Sequence, residues 1–172
     1  NDAAGLQQAS LKALRIDEGC VVSRSYLGLG LALDGEYESA SRELRTVCSI
    51  TPTQFHLIEF GTYLHLSGNS GSACDQFNLA KKLSEDKNDL KNTCLSAFGA
   101  IRSVSMTPDN TDYLNLKNDL LLLYQKRKNY VSSVIINYFN VRDFYKWRNL
   151  KEKDDLALFF QNNSNILSSK IN

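Results

Sequence analysis

Residues 26–52 read YLGLGLALDGEYESASRELRTVCSITP, and residues 59–85 read EFGTYLHLSGNSGSACDQFNLAKKLSE. Laid over each other with a shift of 33, Gly28 falls on Gly61, Leu31 on Leu64, Gly35 on Gly68, Ala40 on Ala73, Leu44 on Phe77 and Val47 on Ala80. Self-similarity at such a period marks a stack of small, alike units. Each unit reads as two helices. Gly28 and Ala40, and likewise Gly61 and Ala73, let two antiparallel helices approach closely, because a small residue faces a large one across the contact. Gly35 and Gly68 stand where the first helix must stop, and glycine enters the left-handed region there at little cost. Tyr37, Leu44 and Val47 make an apolar stripe on the second helix, and Pro52 prevents that helix from continuing.

The pattern Leu27-Gly28, Leu31, Gly35-x-Tyr37, Ala40, Leu44 and Pro52 resembles the tetratricopeptide repeat (TPR), a helix-turn-helix of about 34 residues. Arg24 stands where that family often carries its first Trp. The second unit keeps Phe60-Gly61, Leu64, Gly68, Ala73, Phe77 and Ala80 but has no closing Pro. Leu95-Ser96 and Ala97-Phe98-Gly99 point to a third first-helix. Leu6 to Leu14 look like the second helix of a preceding unit whose first helix is missing. The resemblance covers residues 1–104 and implies an all-α, TPR-like array of antiparallel helix hairpins. Residues 105–172 are expected to form a C-terminal helical extension that packs on the array as a cap, since so short a stack needs end caps.

Composition agrees. Two prolines among 172 residues is low against a usual ~5%, and nine glycines is modest, which disfavours turn-rich all-β folds. Hydrophobic residues make up 42%, enough to bury a core. A net charge of +1 gives no global pull toward nucleic acid or an anionic membrane. No apolar run approaches the roughly 18–20 residues that span a bilayer, so no transmembrane segment is read.

The segment 105–112 (SMTPDNTD) reads as a loop, with Thr111 or Asp112 capping the helix that follows. Leu114, Leu116, Leu120, Leu121, Leu123 and Tyr124 make that helix apolar on most sides, and Lys126, Arg127 and Lys128 close it. Residues 130–149 are rich in β-branched and aromatic side chains. Val134, Ile135, Tyr138, Phe139, Val141 and Tyr145 fit a helical stripe, though a strand is the alternative. Residues 153–162 read as a short amphipathic helix, and 163–172 as a polar tail. The halves differ in charge. Residues 1–100 hold 9 basic and 12 acidic groups, and residues 101–172 hold 11 and 7.

Chemistry-bearing patterns are sparse. There is no Gly-x-Ser-x-Gly, phosphate loop or dinucleotide fingerprint, and the chain is read as non-enzymatic with no cofactor. His56 and Glu59 share a helix face, but His65 lies more than two turns away, so no metal site is expected. Residues 142–153 mix Arg142, Lys146 and Arg148 with Phe144, Tyr145 and Trp147. That mixture can hold single-stranded nucleic acid, but Asp143, Glu152, Asp154 and Asp155 dilute it and favour an ordinary amphipathic face. Cys20 and Cys48 lie at ends of paired helices that should be neighbours. A disulfide between them and a pair of buried thiols are both open readings. Cys74 and Cys94 should lie at different heights.

Some TPR proteins hold a chaperone's C-terminal carboxylate with Lys and Asn. The equivalent positions here carry Ser25, Leu29, Ile58 and Thr62, so that role is disfavoured. Tyr26, Leu29, Tyr63, His65 and Leu66 instead predict a mixed apolar and aromatic concave groove for a peptide or protein partner.

A narrower likeness covers about 75 residues. Leu27-Gly28-Leu29-Gly30-Leu31-Ala32-Leu33-Asp34-Gly35, then Gly61…Leu66-Ser67-Gly68-Asn69, then Asn92…Leu95-Ser96-Ala97 resemble the repeat lipoprotein of bacterial tight-adherence (Flp) pilus machines. That likeness implies a periplasmic, outer-membrane-tethered accessory protein, of the kind that pilots a secretin pore, with Asn1 following a lost lipidated linker. The expected function is therefore a scaffold that binds a partner in pilus or secretion assembly. The alternative is a cytoplasmic TPR chaperone of type III secretion substrates. A nucleic-acid-binding protein using residues 142–153 is a third class.

Overall fold

The structure is a computed structural model that describes residues 2–104 and 111–126. Among these residues, seven helices follow in order: α1 (Ala3–Ile16), α2 (Val21–Leu33), α3 (Tyr37–Ile50), α4 (Gln54–Leu66), α5 (Ser70–Asp86), α6 (Leu90–Ser103) and α7 (Thr111–Lys126). Among the described residues there is no strand. Each helix packs on the next, and α4 also packs on α6. The fold is thus an all-α, TPR-like array of helix hairpins in which the first helices α4 and α6 also pack on each other. The expected helices at 130–149 and 153–162 and the basic-aromatic stretch 142–153 lie outside the described residues.

The turns repeat bond for bond. Gly35, at φ +84°, ends α2, its N–H donating to Ala32 O and that of Glu36 to Leu31 O. Gly68, at φ +89°, ends α4 with Gly68 N–H to His65 O and Asn69 N–H to Leu64 O. This double closure satisfies carbonyls that a helix end leaves without partners. The second unit lacks a closing Pro because it ends the same way: Asn88, at φ 54°, gives its N–H to Glu85 O, and Asp89 gives its own to Ser84 O. Asn enters the left-handed region more readily than other residues with a Cβ. Helix starts are capped where the sequence provides an acceptor. Asp2 accepts from Gly5 N, Thr53 from His56 N and Asp89 from Asn92 N.

The repeat glycines do the same work in both units. A Cβ added to Gly28 would run into Leu44 of α3, and one added to Gly61 would stand 3.0 Å from the Phe77 ring of α5. Ala40 and Ala73 are fully buried on the facing helices. Tyr37, Leu44 and Val47 are buried as their stripe predicts. Leu64 is buried, and Leu31 packs half-buried against the same core. A second contact has the opposite direction. Gly30 faces back to α1, where an added Cβ would stand 2.7 Å from Gln7, and Gly99 of α6 faces back to Phe77. The Phe77 ring therefore lies between two glycines from two first helices.

Helix α5 has 17 residues against 14 in α3. The third unit is accordingly offset by 36 rather than 33, which places Ala97 where Gly61 stands and Gly99 where Gly30 stands. In α7, Leu116, Leu120 and Leu121 are buried. Lys81 ties this last helix back to α5 through ion pairs with Asp119 (2.8 Å) and Glu85 (3.1 Å). Burial works against the Lys81 ammonium, but its hydrogen bonds to the two carboxylates outweigh that and hold its pKa above the usual value.

Candidate functional site

Helical phase defines the inner face. Gly28 points to α3 and Gly30 to α1, so Val22, Tyr26, Leu29 and Leu33, at spacings of 4, 3 and 4, share the opposite side of α2. The offsets of 33 and 36 carry this face to Phe55, Glu59, Thr62 and Leu66 on α4, and to Lys91, Leu95, Phe98 and Arg102 on α6. Equivalent positions thus mark the same face on each of the three first helices.

This face changes character from helix to helix. On α2 it is open: Val22 is 62% and Tyr26 50% exposed, and Leu29 is half-buried. Phe55, at the start of α4, is also exposed. Farther along it closes. Glu59 is 2% exposed, Thr62 3% and Phe98 6%. Every residue from Leu57 to Leu64 and from Thr93 to Ile101 is buried, which takes in every side of both helices. Arg102 lies over the Phe98 ring at 5.9 Å.

Of the predicted groove residues, Tyr26 and Leu29 lie on this face and are accessible. Tyr63 does not. It occupies the position of Gly30, which faces the preceding second helix, and it is fully buried. Leu66 is on the inner face but buried. His65 lies off the face, its Nδ1 standing 3.3 Å from Ser103 Oγ of α6, so it joins two first helices rather than lining an open groove. Val22, Glu59 and Phe98 were not read as inner-face residues. Advancing Tyr26 and Leu29 by the repeat offsets would have found the last two.

The other candidates resolve into local structure. His56 Nδ1 stands 3.0 Å from Thr51 O, and its Nε2 stands 3.4 Å from Ser25 Oγ, bridging α4 to α2. Among the described residues, no three His, Cys, Asp or Glu side chains gather as metal ligands would. A cleft of about 610 Å³ lies between α5, α6 and α7, but its one lysine, Lys81, is already held by Glu85 and Asp119.

Cys20 and Cys48 do not form the disulfide that was one of the two readings; all four cysteines stand as thiols. Cys20 precedes the first residue of α2, and its Sγ accepts from Ser23 Oγ at 3.2 Å, which lowers its pKa. Cys48 instead packs, partly buried, against the core. Burial, helped by the Glu59 carboxylate, pushes its thiol up to about 12. The contact that closes this end of the α2–α3 hairpin is the Arg24–Glu43 ion pair at 2.9 Å. Burial alone pushes Cys94 up to about 11.

No described helix is long and apolar enough to cross a membrane. Compared with known families and curated proteins, the chain matches no family model and no curated sequence.

Proposed function

We propose that this protein is a non-enzymatic scaffold that holds a partner protein on the inner face of α2. The observation that carries the reading is the open stripe Val22, Tyr26 and Leu29: the counterparts of Tyr26 and Leu29 on α4 and α6 are buried, whereas on α2 all three are accessible. Large side chains with apolar bodies spaced 4 and 3 apart on a rigid helix fit an amphipathic or extended peptide. Arg24 anchors the start of this helix by binding Glu43 and donating to Glu18 O, so the stripe is held firmly before any partner arrives. A place in bacterial pilus or secretion assembly is the part of the proposal that rests on the likeness of the Leu27–Gly35 run to tight-adherence lipoproteins.

The test is crosslinking in native cells followed by mass spectrometry, with wild type beside Tyr26→Asp. One envelope component of a pilus or secretion machine, lost in Tyr26→Asp, is the expected result. The same partner set from both chains would refute the site. A second reading, the cytoplasmic chaperone of secretion substrates, draws on the four thiols, which suit a reducing compartment. A translocator subunit as the captured partner would favour it.

A further inference from the structure

Helix α4 carries both histidines of the chain, and each reaches a serine of another first helix: His56 reaches Ser25 of α2, and His65 reaches Ser103 of α6. The two serines differ in where the hydroxyl proton goes. Ser103 Oγ donates to Gly99 O of its own helix at 3.0 Å, so His65 meets an oxygen whose proton is already placed. Ser41, Ser84 and Ser96 likewise donate to carbonyls of their own helices. Ser25 does not. Among the described residues its hydroxyl has a single partner, His56 Nε2 at 3.4 Å.

The far side of the His56 ring fixes the tautomer. Nδ1 stands 3.0 Å from Thr51 O, and a carbonyl only accepts, so Nδ1 carries the hydrogen. Nε2 then presents a lone pair, and Ser25 donates to it. The ring is held from below as well, since the His56 backbone N–H donates to Thr53 Oγ1 at 3.2 Å. A hydroxyl, a base and a group that orients the base thus meet from α2, α4 and the C-cap of α3. We propose that Ser25 is an activated hydroxyl, with His56 as its base and Thr51 O fixing the ring, and that it takes up an apolar acyl group from an activated ester.

The apolar part of that group is chosen by the surroundings. Ser25 and His56 are half-buried and open to solvent. Ser25 follows Val22 by three residues and precedes Leu29 by four, so it shares their open face of α2. The exposed Phe55 ring lies 6.1 Å from the His56 ring. In the step itself, Ser25 Oγ attacks the ester carbonyl and its proton passes to Nε2. The new Oγ–C bond forms, the bond from carbon to the leaving oxygen breaks, and the leaving alkoxide or aryloxide takes the proton back from Nε2. His56 ends neutral, and nothing is oxidised or reduced. The step loads each chain once, needs no turnover and does not rest on the partner proposed above.

The experiment treats the full chain with octyl fluorophosphonate, an ester mimic whose P–F bond breaks as the Ser25 Oγ–P bond forms, the proton leaving through His56 to solvent. The expected product is a single adduct on Ser25, located by peptide mass, with Ser103 unlabelled. Ser25→Ala should abolish it. His56→Asn keeps an amide donor for Thr51 O but has no base in place of Nε2, and it should slow labelling about a hundredfold. His56→Gln serves as a second variant, and circular dichroism checks that each stays helical. The methyl probe should react at least about tenfold more slowly than the octyl probe. A folded chain left unlabelled at Ser25, or labelling of Ser25 as fast in the helical His56 variants or in urea as in wild type, would overturn the proposal. Equal rates with methyl and octyl probes would overturn the apolar acyl group.

Discussion

Helices α2 and α4 are built on the same plan, 33 residues apart, and yet they live in different surroundings. Both carry a glycine that admits a side chain from the next helix, and both end in the same glycine turn. On the inner face they part: Tyr26 is half exposed, and its counterpart Glu59 is buried. The contrast separates two kinds of information in a repeat. Positions that touch the neighbouring helix must recur, because the contact recurs. Positions on the inner face answer to whatever lies there, and they are free to differ between units.

The strongest way to break the equivalence is at the packing glycines. Phe77→Ala should cost about 4 kcal/mol, as for other buried aromatic truncations. Gly99→Ala should cost about 2 kcal/mol, because Phe77 is held on its other side by Gly61 and has nowhere to turn. Gly28→Ala should cost less, since the obstacle is the terminal methyl of Leu44, which can swing. Urea unfolding of the three variants measures the order. In a Phe77→Leu background, Gly99→Ala should become nearly neutral, and strict additivity of the two changes would refute the sandwiched ring.

The turn glycines sharpen the likeness instead. Gly35→Ala and Gly68→Ala should each cost about 1 kcal/mol, through backbone strain alone, since an added Cβ meets nothing within contact at either site. The two costs should agree within about 0.5 kcal/mol, the usual spread for surface changes. Asn88→Gly should be neutral or slightly stabilising.

The same distinction explains what could be read before the fold was in hand. Gly28, Gly61, Ala40, Ala73 and the turn glycines were legible because each answers to a local contact or a backbone angle. The third unit was harder to place, because the extra turn of α5 shifts its period to 36. The groove was only partly legible. Tyr63 and Leu66 look like lining residues when the sequence is scanned for aromatics. Helical phase puts Tyr63 against the preceding second helix, and burial removes Leu66 from the open surface. Cys20 and Cys48 lie at ends of paired helices, but Cys20 accepts from Ser23 while Cys48 packs against the core, and a spacing does not tell one surrounding from the other.

Thiol chemistry reports on the same closed region. Burial pushes the Cys48 thiol up to about 12 and the Cys94 thiol up to about 11 in the folded chain, from an ordinary value of 9.0. The folded chain thus keeps protons that the unfolded chain gives up. The stability tied to these groups is whole below pH 9 and is lost as pH climbs toward 11–12. Between pH 8 and pH 10.5, the fall in Tm should be smaller in Cys48→Ala/Cys94→Ala than in wild type. At pH 8, Cys20 should react with iodoacetamide well before Cys48, because its thiol is lowered by Ser23 while that of Cys48 is raised. Glu59→Gln removes one of the two causes at Cys48 and should bring its pKa down, though not to 9.0, since burial remains. An unchanged Cys48 reaction rate in Glu59→Gln would mean that the carboxylate does not reach it.

The smallest expected effect is on the open end. Tyr26→Ala and Val22→Ala should each change unfolding free energy by less than about 0.5 kcal/mol, because truncating an exposed side chain leaves no cavity. Their exposure makes this a demanding test. If Tyr26 were covered in solution as Glu59 is, its truncation would remove buried aromatic area and cost about 3 kcal/mol or more. A null result in urea unfolding together with loss of the crosslinked partner would show that Tyr26 is retained for what it touches outside the chain. A large loss of stability would place α2 in the same closed environment as α4 and erase the difference between the two helices.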